Sequence, residues 1–194
     1  MSVEAFAKVT EASKLLVEQG FAGPAVTKAL ELVGRALGVD RALIYENSTE
    51  TMPGKRLAPL RHAWGSAPMP PLLRTFPLRD QMPGWVEILS RGQPLWELTR
   101  NVPGSLNVNL EAQGVRSVLL SPINVGTVNA PWWGFLRLDD CKSERRWPDA
   151  ELTVIKTLSR SLSNALRQDL RREAMAQTRE DLRTMMAICA TGTR

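Results

Sequence analysis

The sequence predicts an α+β fold, and three observations carry that prediction. Two central runs alternate with a period of two. In the first, Ser117 and Ser121 stand against Val118 and Leu120; in the second, Phe135, Arg137 and Asp139 stand against Leu136 and Leu138. Such alternation places each set on its own face of a sheet. A seam of Leu152, Ile155, Leu158, Leu162, Leu166 and Leu170 recurs at three- and four-residue steps, the pattern of a long helix. Two more helical patterns precede the strands. Helices gathered at the chain ends around a run of strands give the α+β class.

The elements follow in order. Residues 3–19 read as a helix with Val9, Ala12, Leu15 and Leu16 on one face and Gly20 as its stop. A second helix starts at Pro24, a residue suited to a first turn, and runs to Leu37 before Gly38. Its stripe is Val26, Ala29, Leu30, Val33 and Leu37. Val39 to Asn47 reads as a strand with Ala42 and Ile44 alternating against Arg41, Leu43 and Tyr45. Residues 48–56, rich in Ser, Thr, Pro and Gly, read as a hairpin loop, and Leu57 to Gly65 as a second strand. Pro68, Pro70 and Pro71 break the chain. A short helix over Pro83–Arg91 carries Trp85, Ile88 and Leu89, and Pro94–Thr99 is a third strand. Residues 101–113 read as a loop with room for a helical turn. The last helix, from Pro148 or Asp149, spans about 35 residues and outruns the domain it covers, so its charged far end needs a partner helix. The simplest partners are the N-terminal helix and the same helices of a second copy.

Bulk properties narrow the function. A chain of 194 residues, 43% hydrophobic and 23% charged, fits one globular domain with extensions. Cys141 and Cys189 form no metal-binding spacing and read as reduced thiols. No apolar run reaches the ~20 residues of a membrane helix, and the N-terminus has no signal-peptide core. The expectation is a cytoplasmic protein without a membrane segment. The net charge is +5, yet Arg160, Arg167, Arg171, Arg172, Arg179 and Arg183 read as interleaved with Asp169, Glu173, Glu180 and Asp181. That is a mixed solvated helix face rather than a nucleic-acid surface.

Signatures of catalysis are missing. There is no GxxxxGK[ST], HExxH or GxSxG motif, and His62 is the single histidine. A Ser-His-Asp triad or multi-histidine metal site has too little to work with, and His62 reads as a strand histidine satisfied by neighbours. The polar members of the strand faces are more informative. Arg137 and Asp139 are neighbours on one face, either a structural ion pair or an anchor for a carboxylate or phosphate headgroup. Trp64, Trp85 and Trp96 read either as core or as pocket lining.

Several segments together resemble the GAF domain, a sensory module of bacterial signalling proteins such as histidine kinases and diguanylate cyclases. They are Val39–Asn47, Trp85–Pro94, Gly114–Ile123 and Trp132–Trp147, followed by Asp149-Ala150-Glu151. The resemblance implies an antiparallel sheet of five or six strands, with terminal helices on one face and a ligand pocket on the other. It divides the chain into an N-terminal helix (1–23), the domain (24–168) and a signalling helix or linker (169–194) toward a downstream kinase or cyclase. On this frame Val118, Leu120, Leu136, Leu138, Ala42 and Ile44 face the helices. The implied ligand-binding set is Tyr45, Ser117, Leu119, Ser121, Phe135, Arg137 and Asp139, with Trp85, Trp64 and Trp96 at the roof or wall. The implied role is a non-catalytic sensor, a homodimer through its N- and C-terminal helices, which takes an unknown small molecule. No cofactor is named by the sequence. Alternatives are a ligand-free dimerisation scaffold and a cyclic-nucleotide or haem-binding domain. An enzyme of the free-methionine sulfoxide reductase type would need more pocket cysteines than Cys141. The sequence departs from cyclic-nucleotide relatives in lacking an Asn-Lys pair before Trp147, Asp149 and Glu151. It departs from bilin-attaching relatives in having Lys142 after Cys141 where a histidine is expected.

Overall fold

The structure, a computed structural model, describes residues 3–47, 57–67, 69–77, 83–126 and 132–191. The hairpin loop expected over 48–56 lies outside the described residues. Helices α1 (Val3–Gln19) and α2 (Gly23–Leu37) open the chain and lead into β1 (Arg41–Glu46) and β2 (Ala58–Gly65). A 3-10 turn (Pro71–Arg74) and the two-residue β3 (Thr75–Phe76) follow. Next come α3 (Pro83–Ser90), β4 (Leu95–Leu98) and α4 (Gly104–Ala112). Strands β5 (Ser117–Asn124) and β6 (Trp132–Asp140) precede the final α5 (Asp149–Thr191). The fold is α+β, with α4 a full helix where a loop was expected. Its apolar positions Leu106 and Leu110 are four apart, and both are buried by tertiary contacts that a short periodic pattern does not announce.

The six strands form one sheet in the order β3-β2-β1-β6-β5-β4, and every neighbouring pair is antiparallel. Helices α1, α2 and α5 cover one face. There Val9, Leu16, Leu30 and Val33 meet Ala42, Ile44, Leu136 and Leu138 together with Val154, Ile155, Leu158 and Leu162. The middle segment covers the opposite, distal face: Leu73, Trp85, Leu89, Leu106 and Leu110 pack on Leu43, Tyr45, Val118, Leu120 and Phe135. Two layers of helix on a central sheet bury the apolar side of each element, which is the main stabilising term.

Strand β5 corrects one expectation. Its antiparallel register sets Leu119 opposite Leu138 and Ser121 opposite Leu136, so these residues share the helix face. Val118 and Leu120 belong to the distal face. The two faces of β5 are therefore the reverse of the expected ones. Both are buried, so a serine on either side fits the alternation. Both serines are on the helix side: Ser121 lies under α5, where Ser159 Oγ donates to Ser121 Oγ at 2.9 Å, and Ser117 lies under the segment that leads into α5, where Trp147 Nε1 donates to Ser117 Oγ at 3.0 Å. A small side chain lets helix and sheet approach, and its hydroxyl is satisfied there.

Helix α5 is tied to the turn between α1 and α2. Asp169 accepts the Phe21 backbone N–H at 2.6 Å and lies against Gly20, whose φ of +74° is left-handed. A side chain at residue 20 would be strained and would meet the Asp169 carboxylate at 2.8 Å. Beyond Asp169 the helix leaves the body. Met175, Leu182, Met185, Met186 and Ile188 are exposed there.

Candidate functional site

Strand β6 presents Phe135, Arg137 and Asp139 on the distal face, and pairing sets Tyr45 of β1 opposite Phe135 and Arg41 opposite Asp139. The centre of this face is a buried charged cluster. Arg137 is fully buried. Its Nε donates to Asp139 Oδ1 at 2.7 Å and its Nη2 donates to Asp139 Oδ2 at 3.0 Å, a two-pronged fork on one carboxylate. Nη2 also donates to the Gln113 side-chain oxygen at 2.6 Å. Arg41 donates to the Gln113 backbone oxygen at 2.9 Å and stands 3.6 Å from Asp139. Burial works against the Arg137 charge, but Asp139, the Tyr45 oxygen and the hydrogen bonds to Asp139 outweigh it and raise its pKa. The remaining guanidinium nitrogen, Nη1, has no hydrogen-bond partner among the described residues.

Aromatic side chains close around this cluster. The Phe76 ring lies 4.9 Å from the Arg137 guanidinium carbon. Tyr45 stacks on Phe135 at 5.3 Å, and Phe76 meets Phe135 edge-on at 5.7 Å. The Tyr45 hydroxyl donates to the Leu73 carbonyl at 2.9 Å, tying β1 to the 3-10 turn. Burial pushes the Tyr45 phenol up to about 12, so it stays a neutral donor at physiological pH.

Of the candidate ligand-binding residues, the structure brings together Tyr45, Phe135, Arg137, Asp139 and Trp85. Five others are elsewhere. Ser117, Leu119 and Ser121 are on the helix side of β5, as described, and Trp64 and Trp96 pack against the helix-side core. Trp64 pairs with Ala42, so its ring is on the α2 side of the sheet, under Arg35 at 5.8 Å. Its ring lies so close to Gly34 that a side chain at that position would overlap it. Trp96 pairs with Leu119 and shares its face. Sequence reasoning missed Gln113, Leu73 and Phe76, which reach the site only through tertiary packing. Arg41 was missed as well, although its alternation in step with Leu43 and Tyr45 was a signal that could have found it.

The single histidine lies on the other side of the sheet. His62 pairs with Ile44 and meets Phe21 edge-on at 5.1 Å. Burial lowers its pKa, and the Arg61 charge adds to the effect. Cys141 is half-buried at the margin of the distal cluster, and burial pushes its thiol up to about 11, which disfavours a reactive thiolate. Among the described residues no three His, Cys, Asp or Glu side chains are grouped as metal ligands. Among the described residues no helix is long and apolar enough to cross a membrane.

The GAF domain family profile matches residues 24–166. The chain belongs to the GAF domain family. It is also similar to the methanogenesis regulatory histidine kinase FilI of Methanothrix harundinacea, with 31% identity over 162 residues. That similarity covers 81% of this chain but 18% of the kinase, so the chain spans about a fifth of this curated relative. Among solved structures it resembles the phycoerythrobilin-bound GAF domain of a cyanobacterial phytochrome, with a TM-score of 0.71 and 18% identity. That likeness covers 89% of this chain and all of the other. A phycocyanobilin-bound GAF domain of a cyanobacterial phytochrome gives 0.69 and 19%, covering 87% of this chain and 96% of the other. At that identity the likeness concerns the fold. The shared GAF architecture agrees with the sheet and flanking helices described above.

Proposed function

We propose that this GAF domain is the regulatory module of a signalling protein, and that it works as a dimer relaying the state of its distal face through α5. The observation that carries the reading is the continuity of α5. One helix is locked to the sheet by Leu158, Leu162 and Leu166 and then continues past Asp169 with exposed apolar side chains. Met175, Thr178, Leu182 and Met185 fall at steps of three, four and three, the spacing of a two-helix seam. A shift of the sheet against α5 would reach that seam without an intervening joint. The similarity to a regulatory histidine kinase supports an output of this class. The division into residues 1–23, 24–168 and 169–194 belongs to the same reading, with the last segment as the transmitting helix.

The small-molecule part of the proposal rests on Arg137, whose Nη1, without a hydrogen-bond partner among the described residues, suits a carboxylate or phosphate oxygen. A scaffold that binds nothing is the second reading. It is favoured by the packing of Tyr45, Phe76, Phe135 and Arg137, which fill the distal face. Native mass spectrometry of the purified chain separates the two. A dimer with extra mass that is lost on denaturation supports the sensor, and a bare dimer supports the scaffold. Sedimentation of the double variant Leu182→Glu, Met185→Glu tests the relay. The expected result is a monomer with an unchanged thermal midpoint. A wild-type chain that is already monomeric at all accessible concentrations would sink the dimeric mechanism.

A further inference from the structure

A cleft of about 360 Å³ lies on the helix side of the sheet, between α5, the end of β5 and the turn that leads into β4. It is remote from Arg137, which lies on the other face. Its lining includes Gln93, Asn124, Lys156, Arg160, Asn164 and Arg167. Lys156, Arg160, Asn164 and Arg167 follow one another at steps of four, four and three, so they share a stripe of α5. Three of the four are cations, and the cleft has no carboxylate in its lining. From Leu152 to Gln168 the helix carries no Asp or Glu at all. The interleaving of charge expected from the sequence begins only at Asp169.

The contrast with the rest of this helix is informative. Arg172 pairs with Asp169 at 3.2 Å, Arg183 with Glu180 at 3.7 Å, and Glu151 with Arg145 at 2.7 Å. Lys156 and Arg160 are in no ion pair among the described residues. Arg167 is spent on backbone carbonyls, donating to Val125 O at 3.2 Å and more weakly to Asn124 O at 3.5 Å. Like charges held in a concave site focus a positive potential, and an anion entering it relieves their repulsion. The amide side chains of Gln93, Asn124 and Asn164 add neutral hydrogen-bonding groups at the rim. The cleft volume is at the small end of ligand sites, too small for a large cofactor and ample for a phosphate ester.

We propose that this cleft binds a small phosphorylated metabolite, with Lys156 and Arg160 as the charge partners of the phosphate and Gln93 bridging it to the turn before β4. A ligand held there would tie the sheet edge to α5.

The test uses the whole chain, with pyrophosphate as the probe at constant ionic strength. Backbone amide chemical shifts are followed by NMR in the wild type and in the variant Lys156→Gln, Arg160→Gln, whose altered side chains are both exposed. The expected result is saturable movement of the Gly92, Asn124 and Ser163 amides, with affinity lost by at least ~10-fold in the variant. Small shifts that grow linearly with pyrophosphate and persist in the variant would overturn the proposal. So would co-sedimentation with vesicles of phosphatidylcholine and phosphatidic acid without any response to pyrophosphate, which would make the stripe a membrane contact. Neither outcome bears on the distal face.

Discussion

The two faces of the sheet are built on different physics. The helix side is an apolar core with a few hydroxyls, where Ala42, Ile44, Leu136 and Leu138 meet the leucine seam of α5. The distal side has aromatic rings packed around a buried ionic cluster of Arg137, Asp139, Arg41 and Gln113. An apolar interface is non-directional and tolerates exchange of like for like. A buried ion pair tolerates almost nothing, because each partner's desolvation is offset only by the other.

The largest expected effect lies on the distal face. Arg137→Met leaves Asp139 buried without its fork and is expected to cost about 3–5 kcal/mol in urea unfolding. Arg137→Lys keeps the charge but loses the planar two-pronged contact, and most of the loss should remain. The double variant Arg137→Met, Asp139→Leu should recover part of it. A wild-type-like Arg137→Met protein would erase the contrast between the faces. On the helix side, Leu158→Ala is expected to cost about 3 kcal/mol through lost burial and a cavity. Leu158→Met, which conserves volume, should cost less than about 1.5 kcal/mol by the same measurement. A large penalty for Leu158→Met would show that the helix side is as exacting as the distal side.

The smallest effect is a pH dependence. The pKa of His62 is held below its ordinary 6.5 in the folded chain, so the unfolded chain takes up the proton first. The stability from this group is complete above 6.5 and is lost as the pH falls through the folded value. Between about pH 7 and about pH 5 the advantage of the wild type over His62→Gln should shrink by less than ~1 kcal/mol. Denaturant titration of both proteins at the two pH values checks this. An advantage that grew on acidification would mean that the imidazole is stabilised in its charged form instead.

How much of this was legible differs from strand to strand. In β1 and β6 the alternation places Ala42 and Ile44, and Leu136 and Leu138, on one side, and Tyr45, Phe135, Arg137 and Asp139 on the other, as observed. At the middle of these strands the large polar or aromatic groups Tyr45, Phe135 and Arg137 stand on one side only, with Glu46 and Asp140 on the other side confined to the strand ends, so the period has a phase. In β5, seven consecutive residues from Ser117 to Ile123 are buried. With both faces covered, serine and leucine fit either side, and only the register against β6 settles which is which. Trp64 and Trp96 failed for a related reason, since an indole suits a core as well as a pocket.

By itself the sequence determined the fold class, the family, the terminal helices and the phase of β1 and β6, because each rests on local periodicity or on wording within one segment. Only the tertiary structure decided the strand order, the facing of β5, the arrival of Gln113 and Phe76 beside Arg137, and the grouping of Lys156, Arg160 and Arg167 over the end of β5. Those depend on which distant segments pair and pack. The free energy of such contacts belongs to the assembled layers, and no single stretch of the chain records it.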